Sequence, residues 1–226
     1  MAKYYKPMTA AIPPRRPSRV AQKHARARRE ILQVARDILR EQGGEALTLA
    51  AMAARLGMTK QALYHYFASK EALDRALVTA LLDDEIEFLL AAIAAADSPQ
   101  QTLRALIRGF HAHYADRLYE FRTVYCQSQL YTSGKPGLDS ATLRDEINPR
   151  TQRLFDVLEK RLAPGNANRQ ARQRARRLAF TAWTSALGIV TMLSVADAAQ
   201  DPLRHTDAEL LETLCGVYEK AVLSLK

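Results

Sequence analysis

Cysteine is nearly absent from this 226-residue chain: Cys126 and Cys215 are the only two. They are too few and too far apart for a disulfide scaffold or a zinc site, so a reduced, cytoplasmic protein is expected. Glycine is sparse, and its nine residues fall in turns or singly within helical patterns. That excludes a glycine-rich loop of the kind that cradles phosphates. His111 and His113 are two apart, which on a helix turns them to nearly opposite faces, and Cys126 has no histidine at helical spacing. No catalytic constellation, metal site or cofactor is expected. Long apolar runs are missing with one exception, the 19 uncharged residues from Leu178 to Ala196. The run is long enough to span a bilayer, but Thr181, Thr184, Ser185, Thr191 and Ser194 interrupt it. A helix buried on most sides of a protein bundle fits better, with no membrane as partner.

Acid is missing from one region. Residues 1 to 29 hold Lys3, Lys6, Arg15, Arg16, Arg19, Lys23, Arg26, Arg28 and Arg29 and neither Asp nor Glu. The net charge of +9 sits wholly there, because the remaining basic residues equal the acids in number. Pro13, Pro14 and Pro17 occur without an apolar core, which excludes a secretory signal. Residues 1 to 22 are expected to be a flexible basic arm. The arm is either a solvated tail or a segment whose arginines enter a DNA minor groove.

What is present is helical periodicity throughout, with no strand pattern of convincing length. An all-α fold is expected. A first helix runs from about Lys23 to Gln42, with Ile31, Val34, Ala35, Ile38 and Leu39 on one face, and ends at Gly43 and Gly44. Within Thr48 to Lys70, Leu49, Met52, Ala53 and Leu56 form one apolar stripe, and Leu63 and Phe67 form another. Gly57 between them accepts a left-handed backbone, and Thr59 is placed to cap the next helix. This is a helix-turn-helix pattern. Its second helix carries Lys60, Gln61, Tyr64, His65 and Tyr66, many donor-bearing side chains on few turns, as suits a surface pressed on DNA.

The motif of Thr48-Leu49, Ala53, Leu56-Gly57, Thr59, Leu63-Tyr64, Tyr66-Phe67 and Lys70-Glu71-Ala72-Leu73 resembles the tetracycline-repressor (TetR) family of bacterial transcriptional regulators. The likeness covers about 45 residues from the first helix onward. Met58, Gln61 and Ala62 depart from the family pattern where it faces DNA, which bears on the sequence read. The resemblance implies a three-helix DNA-binding domain over residues 23–70 and a helical ligand-binding and dimerisation domain over residues 71–226. Expected DNA-binding residues are Thr48, Thr59, Lys60, Gln61, Ala62, Tyr64, His65, Tyr66 and Lys70. The threonines cap helices and reach phosphate. Lys60 and Gln61 reach base edges, lysine toward guanine and glutamine toward adenine. Tyr64, His65 and Tyr66 mix phosphate contacts with packing, Tyr66 being a candidate for the core as well, and Lys70 meets a phosphate.

The resemblance also implies a homodimer on a palindromic double-stranded operator, released by a small-molecule effector. The last two long helices would pair between copies, with Ala175, Ala179, Ala182, Ala186 and Gly188 permitting close approach. Phe110, Tyr114, Phe121, Tyr125, Gln129 and Trp183 are candidates for the effector cavity wall, against the alternative that they are core. A long helix from Lys70 to about Ala95, with Leu73, Leu77, Leu81 and Phe88 on one side, links the two domains. Arg169 to Arg177 is a basic lead-in to the uncharged helix. Two other readings stay open: a redox sensor switched at Cys126 or Cys215, and a sequence-indifferent DNA-coating protein driven by the arm.

Overall fold

The computed structural model describes residues 18–127, 140–163, 165–199 and 205–224. Residues 1–17 of the expected arm, Gln129 and the end of the helix expected over 118–131 lie outside these. Among the described residues every regular element is helical. Each early start is set by a hydroxyl cap. Ser18 accepts from the Ala21 amide at 3.2 Å, so α1 spans Arg19–Gln42 and begins four residues before the expected Lys23. Gly43, at φ 81°, ends it, and a 3-10 turn at Gly44–Ala46 leads to α2, Leu49–Leu56. Then come α3, Lys60–Tyr64, and α4, Lys70–Ala94, the latter capped by Ser69. Ser98 and Pro99 open α5, Pro99–Tyr114.

Next, α6, Leu118–Phe121, continues as a π-helical segment, Arg122–Gln127. A short α7, Ser140–Thr142, runs through a second π segment, Leu143–Ile147, into α8, Asn148–Leu162. The expected restart at Asn148-Pro149 is therefore a continuation, since proline at a first helical position needs no amide partner. Residues Arg169–Ala199 form one helix, α9, so the basic lead-in and the uncharged stretch are a single rod. A reciprocal capping box between Thr206 and Glu209 starts α10, Asp207–Leu223.

Two apolar clusters result. The first joins Ile31, Ile38, Met52, Leu63, Phe67, Leu73 and Leu77 of α1 to α4 and the turn after α3. The second joins the later part of α4 to α5, α8, α9 and α10. Tyr125 packs against both, and α4 runs from one to the other. Where α4 and α5 cross, Gly109 lies so close that an added Cβ would meet Leu89 Cδ2 at 3.2 Å.

Two expectations are corrected here and a third is qualified. Phe88, placed on the buried stripe of α4, is 41% exposed; the stripe instead steps by four through Leu77, Leu81, Glu85, Leu89 and Ile93. Ala175, Ala179, Ala182 and Ala186 are fully buried, and their small side chains let α9 approach its own chain's core, not a second copy. Finally, the burial of α9 is incomplete, with Phe180, Thr181 and Met192 exposed between residues 178 and 194. Phe180 and Met192 are 51% and 57% exposed on its outer surface. No helix among the described residues is long and apolar enough to cross a membrane.

Candidate nucleic-acid interface and effector cavity

The turn between α2 and α3 is fixed by short-range bonds. Thr48 Oγ1 accepts from the Ala51 amide at 3.1 Å and starts α2. Gly57, at φ 63° and ψ 31°, takes the left-handed conformation that ends it. The Met58 amide then donates to the Ala53 carbonyl at 3.0 Å, and Thr59 Oγ1 accepts from the Ala62 amide at 3.1 Å to start α3. Leu63 and Phe67 are buried below α3. Gln61, Tyr64 and His65 consequently occupy the side away from Leu63, with Lys60 at its edge, and all four are exposed. Tyr64, an aromatic ring 46% exposed to water, is a costly residue to leave there without a partner.

The remaining expected DNA-binding residues sit differently. Thr48 and Thr59 are exposed at the starts of α2 and α3, and Ala62 is half-buried. Tyr66 is half-buried, its ring 5.0 Å from that of His24 and its carbonyl accepting from Arg28. It therefore serves the packing of the unit. Lys70 is held by Asp74 one turn along α4. Two residues that sequence reasoning did not single out brace the unit: the Arg28 guanidinium lies 4.1 Å over the Phe67 ring, and Arg55 makes a two-pronged pair with Glu41 at 2.6 and 2.8 Å. Their partners are too distant in sequence for periodicity to show them.

In the second cluster, five of the six expected wall residues come together. Phe110 and Tyr114 are 5.3 Å apart between ring centroids, Phe110 and Tyr125 5.8 Å, and Phe110 and Trp183 6.3 Å, all edge-on. Phe121 stacks on Tyr114 and Tyr125, each at 5.3 Å. Phe110, Tyr114 and Phe121 have essentially no exposure, so they form core. At the centre lies a residue the sequence reading passed over. Glu85 is 1% exposed, and its carboxylate accepts from Tyr114 at 2.5 Å and from Tyr125 at 2.8 Å. Burial pushes its carboxyl up to about 7 against the opposing effect of the two hydroxyl donors. Its place in the four-residue ladder of α4 was the available signal.

The open cavity is elsewhere. A space of about 920 Å³ lies between α8 and α9, walled by Phe155, Phe180 and Trp183 and rimmed by Asn148, Gln152, Gln173, Arg176 and Arg177. Of the expected wall residues that are described, Trp183 alone reaches it, with its ring 6.0 Å from Tyr125 on the core side. Phe155, Phe180 and Trp183 stand 5.6 to 6.0 Å from one another.

His111 faces Asp207 at 3.1 Å. His113 is 2% exposed with Nδ1 unpartnered, and burial, aided by Arg117, lowers it to about 4. Cys215 is fully buried, which pushes its thiol up, while Cys126 is half-buried. Ser185 Oγ and Tyr218 Oη, 2.8 Å apart, tie α9 to α10. Thr181 and Met192 of α9 and Val217 of α10 are exposed, and Thr184 is half-buried.

Comparison with known proteins agrees with this geometry. Residues 31–77 match the family model described as bacterial regulatory proteins, tetR family. The chain is 33% identical over 81 residues to the HTH-type transcriptional regulator BetI of Rhizobium meliloti (strain 1021). That match covers 36% of this chain and 40% of the relative, so it spans well under half of either. Among solved structures, a transcriptional regulator of the TetR/AcrR family from Thermobifida fusca YX-ER1 superposes with a TM-score of 0.62 at 23% identity, covering 86% of this chain and 97% of that one. A TetR variant from Acinetobacter baumannii AYE in complex with minocycline gives 0.54 at 18% identity, covering 86% and 91%. Identities this low establish a shared fold.

Proposed function

We propose that this chain, whose residues 31–77 match the tetR family model, is a TetR-family transcriptional repressor that binds a palindromic operator as a two-fold dimer and is released by a small molecule. The observation that carries the reading is the exposed set Lys60, Gln61, Tyr64 and His65, without a hydrogen-bonding protein partner among the described residues, on a helix whose other side is locked into a packed unit. Side chains of these types on a major-groove helix read base edges and phosphates.

The dimer joins the outer faces of α9 and α10. Burying large apolar side chains such as Met192 and Val217 contributes roughly 1.5 to 3 kcal/mol each before association costs. Release begins in the α8–α9 cavity. A ligand there touches Trp183, which packs on Tyr125, whose hydroxyl holds Glu85 of α4. Since the first turns of α4 pack in the DNA-reading unit, displacing this joint tilts α3 relative to the core. Selecting bound fragments from a random duplex pool and footprinting them tests the reading. Two inverted half-sites about 34 to 36 Å apart, or a multiple of that, are expected. A single half-site, or no enrichment, contradicts it.

A further inference from the structure

The basic run at the start of α9 has no role in the account so far. Arg169, Arg172, Arg174, Arg176 and Arg177 fall within nine residues that contain no acid. Acids face them from α8, but Asp156 and Glu159 both bind Arg176, at 2.7 and 3.3 Å. Among the described residues the other four arginines have no carboxylate partner. Several arginines elsewhere on the core are paired, Arg104 with Glu212 and Glu219, Arg150 with Asp83, and Arg153 with Glu87, while Arg122 and Arg161 donate to backbone carbonyls. Four unpaired guanidiniums along one helical stretch repel one another, so a local anion stabilises them.

Their position gives the rest. Arg169 and Arg172 line a smaller hollow of about 290 Å³ that shares Gln173 with the aromatic cavity. The two spaces therefore adjoin at Gln173 in the groove between α8 and α9. The larger space is apolar, walled by Phe155, Phe180 and Trp183 with Arg177 on its rim, and the smaller sets Arg169 and Arg172 beside Glu159, whose carboxylate Arg176 holds. Phe180 is 51% exposed although it stacks on two aromatic neighbours, which marks a surface able to take an apolar body out of water. Guanidiniums favour carboxylate, sulfonate and phosphate alike, through paired N–H donors.

We infer that this groove binds an amphiphilic organic anion, with its apolar part against Phe155, Phe180 and Trp183 and its anionic head among Arg169, Arg172 and Arg177. The inference rests on the reading of the α8–α9 cavity as the effector site and adds the chemical class of the ligand. The acids nearest the groove, Asp156 and Glu159, are both held by Arg176, and Glu85 lies behind the aromatic core with its oxygens on Tyr114 and Tyr125, so no free carboxylate is left for a cation among the described residues there.

Tetraphenylborate and tetraphenylphosphonium separate these possibilities, being nearly equal in size and shape and opposite in charge. Trp183 is the only tryptophan, so its fluorescence in the full-length protein reports occupancy directly. The borate offers no hydrogen-bond acceptor, so it reads the charge of the site alone, and it is expected to bind at least about tenfold tighter than the phosphonium. Arg172→Gln combined with Arg177→Gln should reduce that ratio to near unity. The charge-matched pair Lys220→Gln and Arg144→Gln should leave it intact, which distinguishes the groove from the protein's overall positive charge. Phe180→Ala should weaken both ions. Naphthalene carboxylate, sulfonate and phosphate, compared by calorimetry, then rank the head groups. Equal affinity for the two ions, tighter binding of the phosphonium, or a ratio unmoved by the arginine substitutions overturns the inference. Anion binding that leaves the operator complex intact would contradict ligand release alone, and operator release by neutral or cationic compounds alone would contradict the charge assignment alone.

Discussion

In the core, Glu85 engages both tyrosine hydroxyls and Arg104 holds Glu212 at 2.8 Å and Glu219 at 2.5 Å. On α3, Lys60, Gln61, Tyr64 and His65 stand in water without protein partners among the described residues. Apart from His113 Nδ1, the core engages these polar groups internally, and their polarity specifies packing. The DNA-reading unit keeps its donors unengaged on a rigid base, and its polarity is directed at something else. Substitutions in the two regions should separate cleanly, with the core changing stability and α3 changing recognition.

The largest expected effect is in the core. Phe110, fully buried and touching Tyr114, Phe121, Tyr125 and Trp183, should cost about 3 to 5 kcal/mol when changed to alanine. Urea unfolding measures this, and base preference in the surviving folded protein should not change. A shifted preference would mean that the core also sets the reading surface.

Slightly smaller is the effect of pH. Glu85 is raised from 4.5 to about 7, so the stability its proton confers is full below 4.5 and is lost as pH rises through 7. His113 is lowered from 6.5 to about 4, so its contribution is full above 6.5 and is lost as pH falls through 4. Each amounts to about 3 kcal/mol, with opposite signs, so the two nearly cancel between pH 4.5 and 6.5. Glu85→Gln removes one of them. The variant should lose stability steadily from pH 6.5 downward and exceed the wild type at pH 8. A variant whose urea midpoint follows the wild type from pH 4.5 to 8 would show that Glu85 does not titrate with folding.

Two head substitutions come next. Thr59→Ala deletes the cap of α3 and should cost about 1 kcal/mol in stability, with some loss of operator affinity, because α3 has so few other restraints. Lys70→Ala should change stability by less than about 1 kcal/mol, since its pair with Asp74 is solvated. It should also weaken binding to all DNA sequences about equally, read by competition with scrambled duplex. A selective loss on one sequence would move Lys70 from positioning to base reading.

The elements most legible in the sequence were those fixed by near neighbours. Thr48, Gly57, Thr59, Ser69 and Pro99 declare helix ends within a few residues, and the two stripes of the helix-turn-helix follow from spacing alone. What stayed hidden depends on residues far along the chain. The run Asp83-Asp84-Glu85 reads as a solvated charged face, yet Glu85 turns inward because Tyr114 and Tyr125, 29 and 40 residues later, satisfy it. The alanines of α9 read equally well as a seam between two copies or within one, and only the packing of α5 and α8 decides. The π-helical segments Arg122–Gln127 and Leu143–Ile147 carry no local mark at all. The residues expected to wall a cavity show why spacing cannot separate wall from core: Phe110, Tyr114 and Phe121 pack as core, and the open space between α8 and α9 is reached by Trp183.

The central claim is that α3 reads DNA through side chains the protein itself does not use. The direct measurement is equilibrium binding of Lys60→Ala, Gln61→Ala and Tyr64→Ala to the selected operator, with folding checked by circular dichroism. Each substitution is expected to cost about 1 to 3 kcal/mol on the operator, and those at Lys60 and Gln61 to relax preference at one base position. If all three variants bound the operator as tightly as the wild type, α3 would not be the reading helix.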